Sequence, residues 1–295
     1  MNSNELLDLK NNISSYFLNL PENIFPNELK QKTTVFLSGS TGWGIAEGFD
    51  SKADWDLHLI LDNTDYNKFE KKFGADYVID DQKNNPIVFA QIRSKKWFEE
   101  RISKLYQGDC LYTWIYNNGV YVQDPLLIEK TAKYYKNIFD SNLEEFARYH
   151  YVTFAVRKLD ATSSAKRGIE IGARVSNTEM IKAGLQTFSI LNGKPYPYNK
   201  WLAKHIYMLG ETGKQLVALA ENALQSSSLE DIIINSKAFK ALLETETEKK
   251  YNKKQWIGEW WKYNQNPPEM NLTIPTRINE KKKNKIYLKN TGHGR

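Results

Sequence analysis

The carboxylates of Asp54 and Asp56 are the residues of this chain whose type and spacing most invite chemistry. They flank Trp55 in the segment DWDLHLIL. Upstream, beyond a glycine-rich stretch, the apolar run VFLS ends in Gly39-Ser40. In an extended strand, side chains two apart share a face, so both acids point one way and Trp55 the other. Two carboxylates held this close repel and raise one another's pKa. A divalent cation removes that repulsion, and Mg²⁺ favours oxygen ligands from one or two carboxylates together with substrate phosphates. Backbone N–H groups beside Gly39, with the Ser40 hydroxyl, could hold phosphate oxygens. Cation and phosphate would lie side by side if the two strands are neighbours.

The elements that must position these groups can be read from the pattern. SNELLDLKNNISSYFLNL has helical spacing and is broken by Pro21 and Pro26. TTVFLS is a short strand, followed by a Gly-rich loop over 39–48. DWDLHLILD alternates, with Trp55, Leu57, Leu59 and Leu61 on one side and Asp54, Asp56, His58 and Ile60 on the other. YNKFEKKFG reads as a helix, ADYVID and IVFAQIRS as two strands around a turn, and KKWFEERISKLY as an amphipathic helix. TWIYNNGVYVQDP reads as a β-hairpin turning at Asn118-Gly119. From about residue 140 to 264 the pattern is helical throughout.

Composition narrows the classes. The 295 residues carry 41% hydrophobic side chains, enough for a real core. The single cysteine, Cys110, excludes an intrachain disulfide and a cysteine-built zinc site, and four histidines make a histidine metal cluster an unfavoured reading. No leader-like start and no apolar run of about 18 residues is present, so a soluble cytoplasmic protein is expected. The net charge of +6 sits in the tail. Seven of the 41 basic residues and one of the 35 acids fall in 276–295, which leaves the body balanced. Such runs are more often solvated than binding, so nucleic acid through this tail is open but not favoured.

Gly39-Ser40, thirteen residues, then Asp54-Trp55-Asp56-Leu57 resembles the nucleotidyltransferase superfamily whose fold is shared with DNA polymerase beta. The helical half, with LNGKPYPYNKWLAKHI, looks like the second domain of its antibiotic-modifying and related branches. The resemblance implies an α+β fold: a small mixed β-sheet nucleotidyltransferase domain (1–138), an all-helical bundle (139–264), a loosely ordered basic tail (265–295), and an active site between the two domains. It implies Mg²⁺ on Asp54 and Asp56, and ATP or another nucleoside triphosphate gripped by Gly39, Ser40 and lysines of the helical half. Lys158, Lys182 and Lys200 are favoured over Lys166, Arg167 and Arg174. The reaction implied is transfer of AMP to a hydroxyl of a small acceptor, for instance an aminoglycoside or lincosamide antibiotic. A toxin-type enzyme modifying tRNA or protein, and a non-catalytic nucleotide-binding protein, are the alternatives.

One part of the pattern is missing. The superfamily places a third carboxylate on a later strand, here PIVFAQIRS, which contains no acid. By phase the position falls to Gln91, or to Phe89. A glutamine carbonyl ligates Mg²⁺ weakly and accepts no proton as a base. Three alternatives stand: a base from the helical half, with Glu145, Glu144 or Glu170 as candidates; Asp80 or Asp81 reaching in from the adjacent turn; or a weakened site. Trp43 is open to two readings, a stacking platform or an ordinary anchor.

Overall fold

The computed structural model describes residues 2–47, 54–264 and 270–274. Asn2 opens the first helix, α1 (Ser3–Leu18), with a capping box: its side chain accepts the Asn4 and Glu5 N–H groups, and the Glu5 carboxylate accepts the Asn2 N–H. The chain continues through α2 (Asn27–Lys30), β1 (Thr34–Ser38), α3 (Gly39–Glu47), β2 (Trp55–Leu61), α4 (Asn63–Phe73), β3 (Val78–Asp81) and β4 (Val88–Ser94). Next come α5 (Lys95–Ile102), α6 (Leu111–Asn118), β5 (Val120–Gln123) and α7 (Ile128–Ser141). From there it is helical: α8 (Leu143–Lys166), α9 (Glu170–Leu191), α10 (Asn199–Tyr207), α11 (Glu211–Leu224), α12 (Leu229–Tyr251) and α13 (Gln255–Gly258). The fold is α+β, a small mixed sheet followed by helices.

The sheet runs β3-β4-β2-β1-β5, with β2 and β4 parallel and the other pairs antiparallel. Its alternation follows the sequence. Leu57, Leu59 and Leu61 join Val35, Leu37 and Ile92 in a core closed by Ile13 and Phe17 of α1 and Phe69 of α4. On the opposite face, Phe36 and Ile60 pack with Phe98 and Ile102 of α5 and Trp114, Ile115 and Tyr116 of α6. That second face is left open at one end, where Asp56 lies. A third core belongs to the helices, α8 packed along α9, and Leu105, Cys110, Ile138 and Phe139 join it. No described helix is long and apolar enough to cross a membrane.

Two expectations are corrected. The segment after Gly39 is helix α3 and not a Gly-rich loop, up to Glu47; residues 48–53 lie outside the described residues. Trp43, fully buried, anchors that helix in the core, which outweighs the poor helix propensity of its glycines. The expected hairpin over 113–125 is helix α6 followed by β5, which pairs with β1 instead. Thr113, Trp114, Ile115 and Tyr116 are all buried, and burial on every side overrides a β-rich composition. Gly119, in extended backbone, ends the helix, and a Cβ there would lie 2.2 Å from the Phe36 ring, so the close approach of β1 requires glycine. Part of the tail is tied down: the Thr273 N–H donates to Asn142 Oδ1 at 2.6 Å, and the Asn271 N–H to Glu145. Residues 275–295, with the lysine run, lie outside the described residues.

Candidate active site

Register brings the site together. Ser38, Asp56, Phe89 and Asp80 form one row across β1, β2, β4 and β3; Phe36, His58, Gln91 and Val78 form the next. Residues paired in register point to one face, so Asp56 and His58 share the open face with Phe89 and Gln91. Asp54 comes one step before β2 and is exposed, while Asp56 is half-buried.

The first residue of α3 is pressed against Asp56. Gly39 has φ +67°, a conformation that favours glycine, and a Cβ there would lie 1.9 Å from Asp56 Oδ2. Hydrogen bonds hold the strand in place beside it. The Ser38 hydroxyl donates to the Asp56 carbonyl at 3.1 Å, and the Thr41 hydroxyl to the Asp54 carbonyl at 2.9 Å. Ser38 Oγ is also 3.3 Å from His58 Nε2, and His58 Nδ1 is 2.9 Å from the Tyr116 hydroxyl. With the Ser38 proton on the carbonyl, the consistent assignment is a neutral His58 that donates from Nε2 and accepts from Tyr116. Burial, with Arg93 nearby, pushes the His58 pKa down to about 4, which keeps the ring neutral.

Burial pushes the Asp56 carboxyl above the usual range, the Asp54 carboxylate adds to it, and the Lys200 ammonium opposes both. Lys200 comes from α10 in the helical half. It lines a cleft of about 240 Å³ with Gly39, Ser40, Asp56, His58 and Gln91, closed by Trp43, Tyr198 and Trp201. The lining thus combines residues of the sheet and the helices.

The other sequence-predicted residues are distributed as follows. Gln91 lines the cleft, and its Oε1 accepts from Arg93 Nη2 at 3.1 Å. Phe89 is the β4 residue level with Asp56, so that strand brings no acid to it. Among the described residues no group of three or more His, Cys, Asp or Glu side chains is placed to hold a metal. Glu145 is away from the cleft. Burial raises its pKa, but hydrogen bonds from Arg148, one at 2.9 Å, and from the Asn271 N–H outweigh this and hold it low. Glu144 pairs with Lys254 and Glu170 with Arg174. Asp80 is exposed one strand beyond Phe89, and Asp81 accepts from the Tyr16 hydroxyl. Lys158 is not a cleft residue; its charge faces Lys240, Lys237 and Lys166, and burial with these neighbours lowers its pKa. Lys182 lines a second cavity, next to the first.

Trp43 is an anchor whose edge also forms cleft wall. It packs on Trp114 at 4.6 Å and on Tyr198 at 5.4 Å between ring centroids. Sequence reasoning missed the role of Tyr116, which lay in a segment read as hairpin; the run YPYNKW beside Lys200, open in the sequence to lining the cleft or fixing a helix start, places Tyr198 and Trp201 in the cleft wall.

No protein-family model matches the chain, and no curated protein does. Among solved structures, the chain is similar to the crystal structure of a nucleotidyltransferase-like protein from Exiguobacterium sibiricum 255-15. The identity is 11% and the TM-score 0.42, over 83% of this chain and 77% of that one. The likeness is one of outline, and the chemistry rests on the residues of the cleft.

Proposed function

We propose that the cleft moves a nucleoside monophosphate, AMP from ATP in the first instance, onto a hydroxyl of a small acceptor. One observation carries the reading: the Asp56 carboxyl, its pKa raised by burial and then by Asp54, lies against the first residue of α3 in a cleft that also holds Lys200. A pair of repelling carboxylates fits one divalent cation, and Asp54 and Asp56 are the residues that would hold Mg²⁺. Bound there, Mg²⁺ supplies charge neutralisation for the triphosphate. The N-terminal N–H groups of α3 and the Ser40 hydroxyl would hold the phosphate oxygens, since Gly39 and Ser40 line the cleft and helix N-termini favour anions. Lys200 adds a positive charge from the opposite wall.

In the reaction the acceptor oxygen attacks the α-phosphorus. The new P–O bond forms as the bond to the β-phosphate bridging oxygen breaks, and pyrophosphate leaves with that electron pair. The acceptor's proton passes to water, since β4 presents Phe89 and Gln91 where a carboxylate base would stand. The Ser38 hydroxyl, backed by His58 and through it by Tyr116, holds the Asp56 carbonyl, and Asp56 lines the cleft.

The absence of an acid on β4 favours a second reading, a nucleotide-binding protein that does not turn over. Incubation with Mg²⁺ and labelled nucleoside triphosphates separates them, with aminoglycosides, lincosamides, tRNA or buffer as acceptor. Labelled small molecule supports transfer to a small acceptor; labelled RNA or protein supports a macromolecular acceptor. Tight binding without product supports the second reading. Nucleotide binding that survives Asp54→Ala with Asp56→Ala would sink both.

A further inference from the structure

The second cavity, of about 400 Å³, opens between the segment after α5 and the helices α8 and α9, and shares Tyr198 with the cleft. Its construction centres on Asp109. The residues on both sides of Asp109 are gripped by side chains of the helical half. Gly108 O lies 2.9 Å from His150 Nε2, and the Tyr196 hydroxyl reaches it at 3.4 Å; the Cys110 N–H donates to the Tyr196 hydroxyl at 3.2 Å. Gly108 has φ +88°, and a Cβ there would lie 2.6 Å from the Tyr149 ring, so that ring closes directly on the backbone. Asp109 Oδ1 accepts the Leu111 N–H at 3.0 Å. Among the described residues no hydrogen bond or ion pair reaches Oδ2.

A half-buried carboxylate with an unengaged oxygen, among tyrosine rings, is suited to an organic ammonium ion. The carboxylate supplies a charge-assisted hydrogen bond and the ring faces add cation–π attraction. Lys182 lines the same cavity but is exposed, and no ion pair joins it to Asp109 among the described residues. Its charge reaches into the cavity, where it adds to the lowering of the His150 pKa, and so partly opposes a bound cation. His150, pushed down to about 4 by burial, is neutral and adds no opposing charge.

We propose that this cavity binds a small organic ammonium compound, with Asp109 as its counter-ion and Tyr149, Tyr196 and Tyr198 as its walls. The site stands whether or not the neighbouring cleft turns over nucleotide. A ligand here touches Tyr198 and so borders the cleft that holds Asp56.

Titration calorimetry on the full chain tests this with ethanolamine, choline and glucosamine as probes, N-acetylglucosamine as the neutral control and glucuronate as the anionic one. At least one amine should bind, and glucosamine more tightly than N-acetylglucosamine. Asp109→Asn keeps the acceptor for the Leu111 N–H and should weaken amine binding about tenfold or more. Lys182→Gln should tighten it, a gain that misfolding does not produce. Absence of amine binding, a preference for glucuronate, or amine affinities indifferent to both substitutions would overturn the proposal. Nucleotide is absent from these titrations, so failure here leaves the reading of the cleft untouched.

Discussion

Replacing Gly39 by alanine tests the contact on which the cleft is built. The substitution meets two costs. At φ +67° an L-residue takes a left-handed conformation, worth about 1–2 kcal/mol. The new Cβ also meets Asp56 Oδ2 at 1.9 Å, so the carboxylate must leave its rotamer, worth about 0.5–1.5 kcal/mol more. Gly39→Ala should therefore lose about 1.5–3.5 kcal/mol, a part of the roughly 5–15 kcal/mol typical of a folded protein, and stay folded. Gly193 is the control. It has φ +72°, close to that of Gly39, and nothing within 4 Å of where a Cβ would stand, so Gly193→Ala carries the conformational cost without the contact. Urea unfolding of both variants, followed by tryptophan fluorescence, gives the contact as the difference. Cation-dependent ATP binding, read by calorimetry, should fall on the order of tenfold or more in Gly39→Ala, because the carboxylate is displaced, and stay unchanged in Gly193→Ala. Equal stability losses in the two variants would refute the close approach of α3 to Asp56.

Three further outcomes follow from the site. Asp54→Ala should lower the Asp56 pKa and Lys200→Gln should raise it, since Asp54 pushes it up and Lys200 opposes; carboxyl-carbon NMR titration reads both, and shifts of the same sign would contradict the geometry. Burial holds His58, His150 and His205 at about 4, below their unfolded value of about 6.5. The unfolded chain therefore binds more protons in that window, so stability is full above about pH 6.5 and is lost as pH falls toward 4; a urea midpoint that is flat between about pH 6.5 and 4.5 would show that these rings are not buried neutral. Phe89→Asp sets a third carboxylate in the row of Asp56, and Mn²⁺ binding followed by electron paramagnetic resonance should tighten; unchanged binding would mean that Asp54 and Asp56 do not hold a cation.

Much of the sheet was legible because period-two burial leaves its mark in the residues themselves. Leu57, Leu59 and Leu61 face one core, and Asp56 and His58 face the open side, as their alternation requires. The segment 113–118 was not legible. Its aromatic and β-branched residues suit a strand, but packing against two sheet strands and α5 on several sides selects a helix. Local propensity is worth a few tenths of a kcal/mol per residue, and burying one large side chain is worth about 1.5–3 kcal/mol, so the packing decides.

The sequence by itself determined that two acids stand two residues apart at the head of a strand, with Asp56 on its open face, and that a Gly-Ser pair follows the preceding strand. Those are consequences of chain geometry over a few residues. Only the tertiary structure decided which distant groups meet them. It set Phe89 level with Asp56, brought Lys200 into the cleft, left Lys158 on another surface and Glu145 paired with Arg148. Strand register and helix packing are set by the burial of whole faces, and a single sequence does not state which faces meet.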